Sequence, residues 1–303
     1  MTIIMRKFAF QGAVGAFSHS AGRLFASRLG NAKHAVFQPC RSFDEVFERV
    51  VSGASAFGII PLENSSIGSI AANFDLLWSK EIALVGEVSM AIHHQLIGLP
   101  DSDLAKLTDV YSHPAALDQC RKFFDRSPHL RPVAFFDTSG AALFVKEKND
   151  PTSAAIASDI AARENGLTIL EWDIEDYKEN RTRFGIIANL DFNPDSPREI
   201  PDPPYKISCV AELPHQPGSL ATLLQRLASL NINLTKIESR PIPEAAWHYR
   251  FFVDMELDTP AKDAHVVRIL KTSCESYKIL GRYSPWSDTV AGAGEPAGQR
   301  PIV

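Results

Sequence analysis

Residues 193–204 constrain this chain more than any other stretch. They read NPDSPREIPDPP, five prolines in twelve positions. A proline has no backbone N–H and a fixed φ, so neither a helix nor a sheet ladder runs through such a segment. It reads as a linker that parts residues 6–192 from residues 205–286, and the two parts carry different patterns. The first alternates short β-rich runs with amphipathic helical runs. Strands are expected at 8–10, 35–37, 57–61, within 82–99, and at 110–112, 133–136, 153–156, 168–172 and 184–188. Helices are expected at 18–28 behind Ser18 as N-cap and after Ser42, where Phe43, Val46, Phe47 and Val50 stand at i, i+3, i+4 and i+7. More follow at 71–78, at 115–124 behind Pro114, from Thr138 or Ser139 to 148, and at 158–164. The alternation implies mostly parallel sheets, and its restart near residue 80 implies two lobes with a cleft between them.

Beyond the prolines the order is strand 205–213, helix 218–230, strand 232–240, strand 247–257, helix 261–273 and strand 277–283. This βαββαβ order is a ferredoxin-like unit of about 80 residues. Residues 287–303, rich in Gly, Ala and Pro, read as a disordered tail.

Composition narrows the function classes. The 303 residues are 45% hydrophobic and 22% charged, as in ordinary soluble globular chains. A net charge of −5 repels phosphate backbones, which argues against nucleic acid as a partner. No apolar run approaches the roughly 18–20 residues of a membrane helix, so no membrane partner is expected. Arg6 and Lys7 fall where a signal peptide would carry its apolar stretch, which points to the cytoplasm. Cys40, Cys120, Cys209 and Cys274 lack zinc or redox spacing and read as buried thiols, and the histidines show no metal spacing.

Chemistry is expected where strands end and helices begin. The turn 11–18 (QGAVGAFS) combines two glycines with a helix start whose N–H groups can face an anion; taken alone it reads first as a tight strand–helix turn. Residues 61–69 (PLENSSIGS) gather Glu63, Asn64, Ser65 and further hydroxyls, as a polar substrate site or a plain polar loop would. Residues 111–120 (YSHPAALDQC) open a helix at Pro114 and direct Ser112 and His113 to the cleft; Thr138 and Ser139 repeat that logic. Residues 180–185 (NRTRFG) flank the hydroxyl of Thr182 with two arginines, whose forks match carboxylates. In the small unit, 214–220 (PHQPGSL) turns a strand into a helix, and 238–241 (ESRP) ends the neighbouring strand.

Taken together, these segments resemble the bacterial prephenate dehydratases that carry a C-terminal ACT regulatory domain. The likeness spans nearly all of 8–286 and rests on GAVGAFS, PLENSSIGS, SHPAALDQC, DTSGAA, NRTRF, HQPGSL and ESRP in order. Ala115 departs from it, since the family motif usually carries Gln there. The resemblance implies an α/β fold: a bilobal catalytic domain like the type II periplasmic binding proteins, plus the ferredoxin-like ACT domain. It implies loss of CO2 and water from prephenate to give phenylpyruvate, with no cofactor and no metal, and L-phenylalanine as feedback effector. It implies Thr182 as the chief catalytic residue, Arg183 on a substrate carboxylate, and Glu63, Asn64, Ser65 and His113 beside them. Ser112, Gln119, Thr138, Ser139 and Phe184 are expected to bind substrate. Pro217, Gly218, Ser219, Leu220, Glu238 and Ser239 are expected around phenylalanine between ACT units of a homodimer or homotetramer. Arogenate dehydratase, the same chemistry on the aminated substrate, and a non-catalytic amino-acid sensor are the competing readings.

Overall fold

The computed structural model describes residues 5–30, 32–190, 201–243 and 245–286. The expected tail at 287–303 and all of the expected linker except 201–204 lie outside them.

The chain builds one lobe, crosses to a second, and returns. The first contains β1 (Arg6–Gln11), α1 (Phe17–Arg28), β2 (Ala35–Cys40), α2 (Phe43–Val51), β3 (Phe57–Asn64), β4 (Gly68–Ser69), α3 (Ala71–Ser79) and β5 (Ile82–Ala91). The second contains β6 (Gln95–Gly98), β7 (Asp109–Ser112), α4 (Pro114–Asp118), α5 (Arg121–Arg126), β8 (Arg131–Ala134), α6 (Thr138–Lys148), β9 (Ser153–Ala157), α7 (Asp159–Asn165) and β10 (Thr168–Glu171). The chain then re-enters the first lobe as β11 (Arg181–Asn189).

The sheets are mixed, not mostly parallel. The first runs β2-β1-β3-β11-β5, with β1 parallel to both neighbours and β11 antiparallel to β3 and β5. The second runs β10-β6-β9-β7-β8, parallel only from β9 to β8. The reason is the double crossing: β11 inserts from the far lobe between β3 and β5, and no helix connects it to either. Helix starts also differ in detail. Ser42 and Ser158 cap α2 and α7 through their hydroxyls. Ala16, not Ser18, precedes α1, and the Asp137 carboxylate, not Thr138 or Ser139, caps α6. The single helix expected over 115–124 is two short ones, broken at Gln119 and Cys120.

The lobes touch directly at Gly15. Ser158 Oγ donates to Gly15 O at 2.8 Å, and a Cβ on Gly15 would sit 2.7 Å from Ala161 Cα. With φ at +94°, Gly15 also has a backbone that L side chains rarely adopt.

The C-terminal unit comprises β12 (Tyr205–Glu212), α8 (Ser219–Ala228), β13 (Asn233–Ile242), β14 (Ala245–Leu257), α9 (Ala261–Ser273) and β15 (Ser276–Tyr283), in the sheet β13-β14-β12-β15. Strand alternation gives this sheet two apolar faces. Ile207, Cys209, Val253 and Met255 pack under Leu223, Leu227, Val266 and Leu270 of the helices. Val210, Phe252, Leu280 and Tyr283 join Phe74, Leu77 and Leu84 of the first lobe in one buried cluster. Burying each such large side chain contributes about 1.5–3 kcal/mol, so the unit is docked on the lobe through a shared core. Gly281 permits the close approach: any Cβ there would lie 1.9 Å from Leu84 O. Cys40, Cys120 and Cys209 are buried free thiols and Cys274 is partly buried. Among the described residues no helix is long and apolar enough to cross a membrane.

Candidate active site

Strand alternation decides what the cleft contains. Neighbouring side chains on a strand face opposite ways. The antiparallel register sets Thr182 of β11 across from Asn64 of β3, and Arg183 across from Glu63. Asn64 and Thr182 face the second lobe, where they line a cavity of about 440 Å³ with Gln119, His113, Thr138 and Phe184. Phe17, Ile67, Ile70 and Ile92 form its apolar walls.

A directed chain of hydrogen bonds fixes the polar groups. The backbone N–H groups of Ser66 and Ile67 donate to Asn64 Oδ1 at 2.9 and 3.1 Å, which orients that amide. Asn64 Nδ2 then donates to Thr182 Oγ1 at 2.9 Å and to Asn180 Oδ1 at 2.7 Å. Asn180 Nδ2 donates to Gln119 Oε1 at 2.7 Å, and His94 Nε2 lies 3.0 Å from the same oxygen. Two consequences follow. Gln119 Oε1 can only accept, so His94 carries its proton on Nε2 and leaves Nδ1 as a buried bare acceptor. Thr182 Oγ1 accepts from Asn64, and no acceptor among the described residues takes the hydroxyl's own proton. Burial holds the His94 pKa below its ordinary value, against the hydrogen bond it donates to Gln119 and the charge of Glu175.

No lysine or arginine is among the described residues lining this cavity. Positive potential comes from backbone. Gly12, Ala16, Phe17 and Ser18 line it at the start of the twelve-residue helix α1, which has no side-chain cap. At α6 that position is taken by the Asp137 carboxylate. His113 Nδ1 accepts from the amide of Ala115, which leaves Nε2–H as its donor.

Several expected site residues lie elsewhere. Arg183 is on the far face of β11, ion-paired to Glu63, Glu87 and Asp254, and does not line the cleft. Glu63 lies with it, against Lys236 of β13. Burial alone would raise the Glu63 pKa, but the charges of Arg183 and Lys236 outweigh it and hold the carboxyl low. Ser65 is exposed, accepting from Arg181 N and donating to Glu179 O. Ser112 is fully buried and donates to Ile156 O at 2.6 Å, so it ties β7 to β9. Ser139 is buried beside a separate depression with Leu143 and Glu164. Conversely, His94 and Asn180 belong to the cleft network although neither was expected there. Asn180 stood in the NRTRF segment; an isolated His-His pair carried no spacing signal.

In the C-terminal unit, Ser219 and Leu220 line a depression of about 140 Å³ with His215, His248, Tyr249 and Phe251. Pro217 and Gly218 are exposed beside it. Glu238 instead accepts from Ser69 Oγ of the first lobe at 2.8 Å, and Ser239 is exposed on the other face of β13. One group among the described residues brings three possible metal-ligating atoms together: His93, Asp173 and Glu175, on the two crossings between lobes. Glu175 is already engaged there by His93 Nδ1 at 3.0 Å, by the His94 amide at 2.9 Å and by Lys178 at 3.7 Å. These contacts tie one crossing segment to the other.

Two lobes around a small cleft, with a ferredoxin-like unit docked behind one of them, define an enzyme for a small organic substrate with an appended regulatory domain. The family profile for prephenate dehydratase matches residues 8–191, and that for the ACT domain matches residues 207–264. The chain belongs to the prephenate dehydratase family. A prephenate dehydratase of Methanocaldococcus jannaschii is 37% identical over 276 residues, covering 89% of this chain and 94% of that one. A solved structure described as a novel type of quorum quenching acylase, GqqA, is 32% identical with a TM-score of 0.80, covering 94% of this chain and all of that one. The prephenate dehydratase of Arthrobacter aurescens, solved in complex with L-Phe, is 28% identical with a TM-score of 0.80, covering 92% and 90%. The chain is thus an enzyme of the prephenate dehydratase kind, a carbon–oxygen lyase.

Proposed function

We propose that the cleft converts prephenate to phenylpyruvate with Thr182 as hydrogen-bond donor to the departing hydroxyl. The observation that carries this reading is the Asn64–Thr182 bond: it occupies the threonine oxygen and leaves its proton for a cavity ligand. In the reaction, the electron pair of the breaking ring–carboxylate bond moves into the ring as CO2 departs and expels the hydroxyl at the opposite carbon. The ring C–O bond breaks with its pair going to the oxygen, which leaves as water after gaining a proton, and the ring becomes aromatic in that event. Aromatisation drives the chemistry, so the protein's task is to place and polarise. Threonine is a weak acid, and its contribution is a preorganised hydrogen bond to developing charge, with the proton finally supplied by water.

The substrate's side-chain carboxylate fits the open N-terminal turn of α1. The ring carboxylate that leaves as CO2 fits against Ile67, Ile92 and Phe184, where few donors oppose its departure. His113 and Gln119 complete the polar wall. Phenylalanine fits the depression at Ser219 and Leu220, by analogy with the Arthrobacter complex. The ACT sheet offers exposed Trp247 and Tyr249 on β14, which suits pairing of units into a dimer or tetramer.

The test is steady-state kinetics of the purified chain on prephenate and on arogenate, following phenylpyruvate and phenylalanine. A kcat/KM at least about tenfold higher on prephenate supports the reading. Preference for arogenate moves the chain to arogenate dehydratase, and turnover of neither makes it a sensor.

A further inference from the structure

A second set of charges backs the cleft. Behind the Thr182–Asn64 rung lies the Arg183–Glu63 rung, one residue along the same two strands and facing the other way. The Arg183 side chain is 11% exposed. Its guanidinium meets Glu63 Oε1 at 2.7 Å, Glu87 Oε2 at 3.2 Å and Asp254 Oδ2 at 2.7 Å. Glu63 and Glu87 belong to the first lobe, but Asp254 belongs to β14 of the ACT unit. Glu63 also accepts from Lys236 Nζ of β13 at 2.7 Å, and Glu87 from Lys206 Nζ of β12 at 2.8 Å. Three ACT residues therefore hold the charges next to the rung that carries the donor. The Arg183–Asp254 contact is an ion pair without hydrogen-bond alignment, since Nη2 has no aligned acceptor.

The two rungs share one backbone. A buried charge separated from its partner is costly, so the Arg183–Glu63 rung follows Asp254 and Lys236 when the ACT sheet shifts, and does not release them. Thr182 and Asn64 move with it. Hydrogen bonding to a transition state tolerates displacements of only about 0.5 Å, so a small shift is enough to change turnover. Neither Arg183 nor Glu63 lines the cavity, so this influence does not run through substrate contact.

We propose that Arg183 is a positioning residue for Thr182, and that Asp254 and Lys236 are the ACT-side grips through which a bound effector alters turnover. The inference rests on the dehydratase reading above.

The experiment measures kcat and KM for prephenate, with and without saturating phenylalanine, and phenylalanine binding by calorimetry. It uses the full chain as wild type, Asp254→Asn, Lys236→Met, Lys236→Arg and Arg183→Lys. Asp254→Asn and Lys236→Met should bind phenylalanine within about threefold of wild type, while the phenylalanine-induced change in kcat shrinks at least about fivefold. Lys236→Arg should restore that change. Arg183→Lys should lower kcat at least about tenfold with KM little altered. Inhibition of the ACT variants like wild type overturns the proposal. So does loss of phenylalanine binding in both, which assigns the contacts a purely structural role, and so does a raised KM with unchanged kcat in Arg183→Lys. A wild type that turns over prephenate but ignores phenylalanine overturns the coupling and leaves the dehydratase reading standing. A wild type without turnover removes that reading itself.

Discussion

Replacing Thr182 with valine keeps the shape of the side chain and removes its hydroxyl. Two effects separate cleanly. The folded state loses the bond that Asn64 Nδ2 donates at 2.9 Å, but Asn64 keeps its bonds to Asn180 and to the Ser66 and Ile67 amides. A lost buried hydrogen bond costs about 1–2 kcal/mol of stability, which a domain of this size survives. On the proposed mechanism, the transition state loses the hydroxyl that donates to the leaving group. Loss of one such preorganised donor costs roughly 10²–10³ in kcat, or about 3–4 kcal/mol. Thr182→Ser retains the hydroxyl but loses the methyl group that fixes its rotamer, and should fall less than about tenfold. Purified variants are compared by thermal melting and by phenylpyruvate formation at saturating prephenate. A folded Thr182→Val enzyme within about threefold of wild-type kcat refutes the reasoning and removes the hydroxyl from the chemistry.

Other expectations follow from particular contacts. Ser112→Ala should lower the melting temperature through loss of the 2.6 Å bond to Ile156 O, with kcat/KM nearly unchanged; a selective loss of activity would return Ser112 to the cleft. Gly281→Val cannot fit against Leu84 O and should expose the ACT unit to limited proteolysis while residues 5–190 stay resistant; unaltered proteolysis contradicts the docking. Stability should fall as pH drops below about 6.5: the unfolded chain protonates His94 near its ordinary value, the folded chain only at lower pH, so acid favours unfolding. At still lower pH, protonation of Glu63, whose folded pKa is depressed below 4.5, removes a second increment in the same direction. Melting curves at pH 7.5 and 5 for wild type and His94→Gln test this; an equal acid sensitivity in the variant assigns it to other groups.

How much of this was legible in the sequence depends on which physical signal each residue carried. The helical stripe at Phe43, Val46, Phe47 and Val50 comes from one-sided burial, and it delimits its element closely. The polar run Asn180–Arg181–Thr182–Arg183 reads as a loop because it lacks apolar residues, yet residues 181–183 begin β11. Their polarity has a different cause: one face of the strand meets the cleft and the other meets charged partners of the ACT unit. A loop imposes no alternation, so Arg183 was expected beside Thr182; a strand places it behind. The same one-residue logic turns Ser112 into the core while His113 faces the cavity. The expected lobes, cleft and βαββαβ unit were readable because they follow from element order. Strand direction was not, because it depends on where β11 reinserts.

The most direct measurement is a crystal structure of the enzyme with a ring-saturated, unreactive analogue that keeps both carboxylates and the ring hydroxyl. The account predicts Thr182 Oγ1 at about 2.5–3.0 Å from that hydroxyl oxygen, with the side-chain carboxylate over the first turn of α1. A hydroxyl held by another group, with Thr182 beyond hydrogen-bond reach, contradicts it.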